Sequence, residues 1–328
     1  MFNVSPFASL SELNRMLSAW GCEATAYDTA RGGVENSSLI VDTPAYRPSR
    51  AVLRVHPPDS GERVRLELET LEHLAACALP VPRPLRTTDG DTLCEFQGSP
   101  ASLLAYVDGI SLDRCVPPRE FGRNVGALLA RVDHALARLP AGNAARAHDI
   151  TDLASARDRL VDCRKISGFP WQRVEDAIED AARAAVVWPM LPRQVIHGDV
   201  SRGNVLYRAG EQYALIDFGD AGAAPRIADL AIALAQLAIV GGRLRPEIWS
   251  GLWAGWSAIA DPSKAECAAV LPLVRLRYAR LIVDHVWREL SGRHHPGHLA
   301  LVALGIEGLH ALASAPPPVL SLDPRQAA

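Results

Sequence analysis

Apolar residues along the chain recur with two different periods, and the change of period divides it. Near the start, "SLSELNRMLSAWG" has helical spacing, with Ser9 or Ser11 as its cap and Gly21 as its stop. "ATAYDTARGGVENSSLIVDT" and "RAVLRVH" read instead as strands joined by turns, the first pair around Gly32 and Gly33. In "SGERVRLELETLEHLAACALP" the helical period returns. Val64, Leu68, Leu71, Leu74 and Ala75 form one apolar stripe there, and Pro80 ends the element. "RPLRTT", "TLCEFQG" and "ASLLAYV" are further strand-like segments. From about Ser111 helical spacing takes over, from "REFGRNVGALLARVDHALARL" to "GHLALVALGIEGLHALAS", and only Gln194 to Phe218 interrupts it with short runs suited to strands. The pattern predicts an α+β chain of two lobes. A small strand-rich lobe with one long helix covers residues 1–104, a connector covers 105–110, and a mostly helical lobe covers 111–328. A cleft between two such lobes is a common place for a ligand.

Composition narrows the function classes. At 328 residues the chain is long for one compact core. It is 48% hydrophobic and 22% charged with a formal net charge of −3, a balance that argues against a nucleic-acid partner held through its phosphates. No apolar run approaches the roughly 20 residues that span a bilayer, so no membrane partner is expected. The start, "MFNVSPFASLSELNRML", lacks the basic opening and apolar block of a secretory signal. Six scattered cysteines without a C-x-x-C pair read as reduced thiols, and a cytoplasmic monomer or homodimer is the expectation.

The chemistry concentrates in "VIHGDVSRGNVL", residues 195–206, and in "ALIDFGD" shortly after it. Both put carboxylate or amide groups at the ends of apolar runs. Between Asn204 and Asp217 lies the strand pair "VLYRAGEQYALI", and a hairpin of that length returns its ends to one another. Two oxygen ligands side by side suit Mg²⁺, which takes one or two carboxylates plus phosphate oxygens and water. Asp199, at the start of the same loop, is placed to accept a proton from a hydroxyl. A positioned base beside a metal is what phosphoryl transfer requires.

H-G-D-x-x-x-x-N followed by D-F-G resembles the catalytic and metal-binding segments of the aminoglycoside phosphotransferase and choline kinase-like superfamily, relatives of the protein kinases. The match is to the small-molecule branch, because Gly198 stands where most protein kinases have arginine. The resemblance implies a protein-kinase-like two-lobe fold, a nucleotide donor (ATP or GTP) and Mg²⁺. It makes Asp199 the catalytic base and gives the metal to Asn204 and Asp217. His197 would brace the loop, and Asp229 in "IADLA" would anchor it from the following helix.

Such a kinase also needs a cation for the nucleotide phosphates, held by a carboxylate on a helix. Arg54 in "AVLRVH" stands where the family usually has lysine. Glu67 lies in the apolar stripe of the next helix, and pairing would relieve the cost of both charges. Gly33, Asn36, Ser37 and Ser38, in "RGGVENSSLIV", would form the turn over the phosphates; a plain hairpin reads equally well there. For the acceptor, "LVRLRYARLIVDHVWREL" places Arg277, Asp284 and Arg288 on one helical face, with Leu276, Val283, Val286 and Leu290 on the core side. That charged face could hold a zwitterion, or it could be a solvated surface with internal ion pairs. "GVENSS" and "GSPASLLAYVDGISLD" look like homoserine-kinase-like members, and "IDFGDAGAAPRIADLAIALAQL" like hydroxylysine-kinase-like ones. The implied activity is phosphorylation of a hydroxyl on an amino-containing metabolite. An antibiotic such as an aminoglycoside is the alternative acceptor, and a catalytically silent nucleotide-binding protein the alternative class.

Overall fold

The structure, a computed structural model, describes residues 7, 9–29, 37–46, 49–139, 147–210 and 212–320. The chain divides into two compact units. One holds Met1–Gly109 together with Ala214–Gly219, and the other holds Ile110–Tyr213 with Asp220–Ala328.

The N-terminal unit begins with α1 (Leu10–Leu17), whose first turn is capped by Ser9 accepting the Glu12 amide. Strands β1 (Ala26–Thr29), β2 (Ser37–Asp42) and β3 (Arg50–Val55) follow, then α2 (Gly61–Ala76), β4 (Pro84–Leu85), β5 (Leu93–Phe96) and β6 (Ser99–Ala105). The strands pair antiparallel in the order β1–β2–β3–β6–β4, with β5 also on β6. Alternation along β3 decides what each face carries. Ala51 and Leu53 join Leu39, Val41, Ala101, Leu103 and the α1 residues Leu13 and Leu17 in one core. Arg54, next after Leu53, faces the other way, toward α2, with Ser38 and Ser102 as its cross-strand neighbours. Helix α2 buries Val64, Leu68, Leu71 and Leu74, and with them Glu67. It stops at Ala76, before Pro80, because the chain turns at Ala78 through a left-handed conformation (φ 56°).

The C-terminal unit contains β7 (Ile110–Ser111), α3 (Phe121–Leu136), α4 (Leu153–Cys163), α5 (Trp171–Ala184), β8 (Arg193–Ile196), β9 (Val205–Arg208), the first half of β10 (Gln212–Leu215), β11 (Gly222–Pro225), α6 (Ile227–Leu237), β12 (Ile239–Val240), β13 (Arg243–Leu244), α7 (Pro246–Ala260), α8 (Lys264–Leu290) and α9 (Pro296–Ser314). Its strands are short accessories: β8 pairs β11, β12 pairs β13, and β9 lies between β10 and β7. Every residue of α6 is buried, which makes this helix the centre of the unit. Helix α8 starts from a capping box in which Ser263 and Glu266 satisfy each other's amides. It packs along α4, α5, α6 and α9.

Two details differ from the sequence reading. Leu290 is half-exposed at the end of α8 rather than on its core face. Helix α9 is, among the described residues, the one helix long and apolar enough by length and composition to cross a bilayer; here it lies along α8 and buries Val302, Leu309 and Leu312.

Candidate active site

In the N-terminal unit the strand face opposite the core gathers three charges. Arg54 donates to Glu67 at 2.5 Å and to Asp217 at 3.3 Å. Arg54 and Glu67 are nearly sealed, with side chains 9% and 4% exposed, while Asp217 is half open at 49%. Burial pushes the Glu67 carboxyl above its ordinary range even though the guanidinium pulls it down. Asp217 is one of four non-glycine residues with positive φ among those described, at 64°, and it is also the residue paired with Arg54. Gly219 lies beside the cluster: a Cβ there would make ordinary contacts, 3.4 Å from the Asp217 carboxylate and within 4 Å of Arg54 and Glu67. Ser38 sits beside Arg54 across the β2–β3 ladder. Gly33 and Asn36 lie outside the described residues, and of Ser37 only the backbone, opening β2, is described.

The C-terminal unit builds the loop that follows β8. Asp229, in the first turn of α6, accepts the amides of His197 at 2.6 Å and Gly198 at 2.9 Å. A carboxylate near a helix N-terminus is favoured by the helix dipole as well. His197 is fully buried and accepts the Asp199 amide on Nδ1 at 3.2 Å. Gly198 has φ 83°, and a Cβ on it would meet the His148 ring at 2.6 Å and the Asp220 carbonyl at 2.7 Å. The arginine that most protein kinases carry at this point has no space here, because His148 fills it.

Asp199 is held from two sides. Asn204 Nδ2 donates to its Oδ2 at 2.9 Å and to its backbone oxygen at 3.0 Å. Arg277, on α8, donates from Nη2 to Oδ1 at 2.7 Å. Sequence reading placed Arg277 near the acceptor but did not foresee this contact. Nor did it find Asp133, a carboxyl on α3 that accepts from Trp256 Nε1 at 2.7 Å and feels the charge of Asp229. Burial first, and then the Asp229 charge, drive Asp133 well above the ordinary carboxylate range. Its signal was an acid in the apolar stripe "VGALLARVD", the same clue that singled out Glu67.

The remaining acceptor candidates are not brought together. Asp284 is committed to Arg159 at 2.7 Å and to Arg280 at 3.0 Å, so its charge is already matched twice. Arg288 lies eleven residues beyond Arg277, about 16 Å along the helix axis, too far to share a small ligand with it. The charged face of α8 is therefore in large part a set of internal ion pairs.

Taken unit by unit, the donor types suit Mg²⁺. Asp217 presents a half-open carboxylate, and the amide of Asn204 spends its nitrogen on Asp199, leaving Oδ1 outside those bonds. Among the described residues no three His, Cys, Asp or Glu side chains are gathered as a metal cage. A shallow cavity of about 480 Å³ lined by Thr25, Asp42, Ser49, Arg50 and Asp108 belongs to the N-terminal unit and shares no residue with these clusters.

Comparison with known proteins gives the same direction. A homoserine kinase of Methylobacillus flagellatus is 29% identical over 278 residues, covering 83% of this chain and 75% of that protein. Among solved structures, a microcompartment-associated aminopropanol kinase matches with a TM-score of 0.72 at 17% identity, covering 96% of this chain and 100% of that one. The amicoumacin kinase in complex with AMP-PNP, Ca²⁺ and its ligand matches with a TM-score of 0.69 at 13% identity, covering 98% of each chain. At such identities these two establish the kinase-like fold. The model of the phosphotransferase enzyme family spans residues 28–267, and the chain belongs to that family.

Proposed function

We propose that this small-molecule phosphotransferase transfers the terminal phosphate of a nucleoside triphosphate to the hydroxyl of a hydroxylated amino acid of the homoserine type. The observation that carries it is the setting of Asp199, a partly exposed carboxylate whose loop is fixed by Asp229 and whose Oδ2 is held by Asn204. Asp199 accepts the hydroxyl proton. The freed oxygen forms a bond to the γ-phosphorus while the bond from that phosphorus to the β–γ bridging oxygen breaks, and its electron pair leaves on the nucleoside diphosphate. Arg54, fixed by Glu67, supplies positive charge for the phosphates; as arginine it offers a planar fork where lysine would offer a point charge. Asn204 and Asp217 would hold Mg²⁺, which when bound neutralises charge building on the phosphate oxygens.

The homoserine kinase relative supports an amino-acid acceptor over an antibiotic one, since it is similar in sequence across most of the chain. The amicoumacin kinase shares the fold alone. The retained Asp199 argues against a silent binding module, which has no use for a base. Replacing Asp199 by Ala is expected to cut phosphorylation of L-homoserine, followed as nucleoside diphosphate release with Mg²⁺ present, by ~10²-fold or more. Turnover retained in that variant would remove Asp199 from the reaction.

A further inference from the structure

Arg277 is the least explained charge near the reaction. Its Nη2 occupies Oδ1 of Asp199 at 2.7 Å, while Asn204 takes Oδ2. Its Nε is buried and has no hydrogen-bond partner. The side chain as a whole is 15% exposed, but Nε itself is out of reach of solvent. A guanidinium presents Nε–H and Nη2–H as a parallel fork that fits the two oxygens of one carboxylate. Asp199 engages one prong only. An arrangement that leaves a buried donor empty and ties up the oxygen the reaction needs is not the one in which the reaction occurs.

We propose that Arg277 is the receptor for the acceptor's carboxylate and couples its capture to the release of Asp199. This rests on Asp199 being the base. A carboxylate arriving across Nε and Nη2 satisfies the empty donor and replaces the Asp199 oxygen with one of equal charge. The exchange is like for like. A bare amine or hydroxyl offers no such replacement and leaves Asp199 capped. Arg277 would then select hydroxy acids carrying a free carboxylate against amino alcohols of the same length, and would do so by making the base available only when the right acceptor is bound. Selection of this kind uses the penalty of an unmet buried polar group and discriminates more sharply than added apolar contact.

The test compares L-homoserine with its decarboxylated counterpart 3-aminopropan-1-ol and with L-homoserinamide, which keeps the shape and loses the charge. The full chain is used with ATP or GTP and Mg²⁺. In the wild type, kcat/KM for L-homoserine is expected to exceed that for each analogue by about 10²-fold or more. Arg277→Ala is expected to reverse the order of preference: KM for L-homoserine rises by about 30-fold or more, while turnover of 3-aminopropan-1-ol increases because Asp199 is uncapped. Arg277→Lys, which keeps charge without the fork, should fall between the two, and thermal melting of both variants checks that they fold.

Equal use of acid and amino alcohol by the wild type overturns the proposal, whatever the variants do. So does a parallel fall for all acceptors in Arg277→Ala, since that is the mark of a merely structural arginine or one that touches the transferred phosphate. If the wild type consumes nucleotide in a manner lost in Asp217→Ala but transfers phosphate to none of the three, the carboxylate assignment fails and the kinase reading stands. If it neither binds nor consumes nucleotide, the kinase reading fails with it.

Discussion

A single charged residue in a strand is expensive unless its partner is fixed, and Arg54 shows how the cost is met. Both it and Glu67 are almost fully enclosed, and burial keeps Glu67 above its usual range despite the guanidinium. Losing either partner strands the other. Arg54→Met is expected to cost roughly 3–5 kcal/mol, whereas the double change Arg54→Met with Glu67→Leu should be close to wild type in stability, as replaced buried ion pairs often are. The sign of the pH effect on Arg54→Met follows from Glu67. Because its folded value lies above its unfolded one, acid neutralises it readily, so the penalty should shrink as pH falls from 8 toward 5. Denaturant melts of the three proteins across that range test the account. A double variant as unstable as the single would mean that the pair holds the sheet to α2 by more than charge balance. Nucleotide-dependent turnover should be lost in the double variant, since Asp217 would have no cation beside it.

At the scale of the element, close approach of helices decides where the site can be built. Helices α3 and α7 meet through glycines: a Cβ on Gly255 would lie 2.0 Å from the Arg123 carbonyl oxygen and 2.8 Å from the Ala127 nitrogen, all backbone. The next residue, Trp256, donates to Asp133 on α3, which feels the charge of Asp229, the carboxylate that accepts the Gly198 amide. Gly255→Ala is expected to cost about 3 kcal/mol, at the upper end for overpacking because the clash is with backbone. Urea melts should show it, and a change within experimental error would mean that α3 and α7 can part without loss. Such closeness is also where reading from sequence stopped. Long helices with a sustained apolar stripe were legible, and so was the strand-rich start, since each repeats its period several times. The two-residue strands β7, β12 and β13 were not, because two residues carry no period. Glu67 was legible as a carboxylate where only apolar groups belong. Asp133 gave the same signal without any resemblance to draw attention to it. The contact from Arg277 to Asp199 joins residues 78 positions apart, and no local pattern encodes it. Chain order also put Asp217 with the second lobe, whereas Ala214–Gly219 group with the first unit.

Across the whole molecule, three buried histidines set the response to acid. His56 in the N-terminal unit is held down to about 3, by burial first and then by the charge of Arg54. In the C-terminal unit His148 lies at about 4 and His285 at about 3, each chiefly through burial. All three are neutral in the folded chain and titrate near 6.5 when it unfolds, so the native state binds fewer protons between these values. Their stabilising effect is complete above about 6.5 and is lost as pH falls toward 4 and 3. For His148 alone the shift corresponds to about 3 kcal/mol. The window sets them apart from Glu289, whose carboxylate is held at about 2 by His294, the His295 amide and His298 and whose contribution fades only below its ordinary 4.5. The melting temperature should therefore be level from pH 7 to 9 and drop by about 10 °C between 6.5 and 4.5. His285 offers the cleanest control, since its Nδ1 is buried without a partner and its ring lies against His298. Replacing it with Leu removes an unmet polar atom and one of the three protonation sites. The variant should melt no lower than wild type at pH 8 and lose less on acidification. If its acid curve superimposes on that of the wild type, His285 takes up no proton on unfolding in that range.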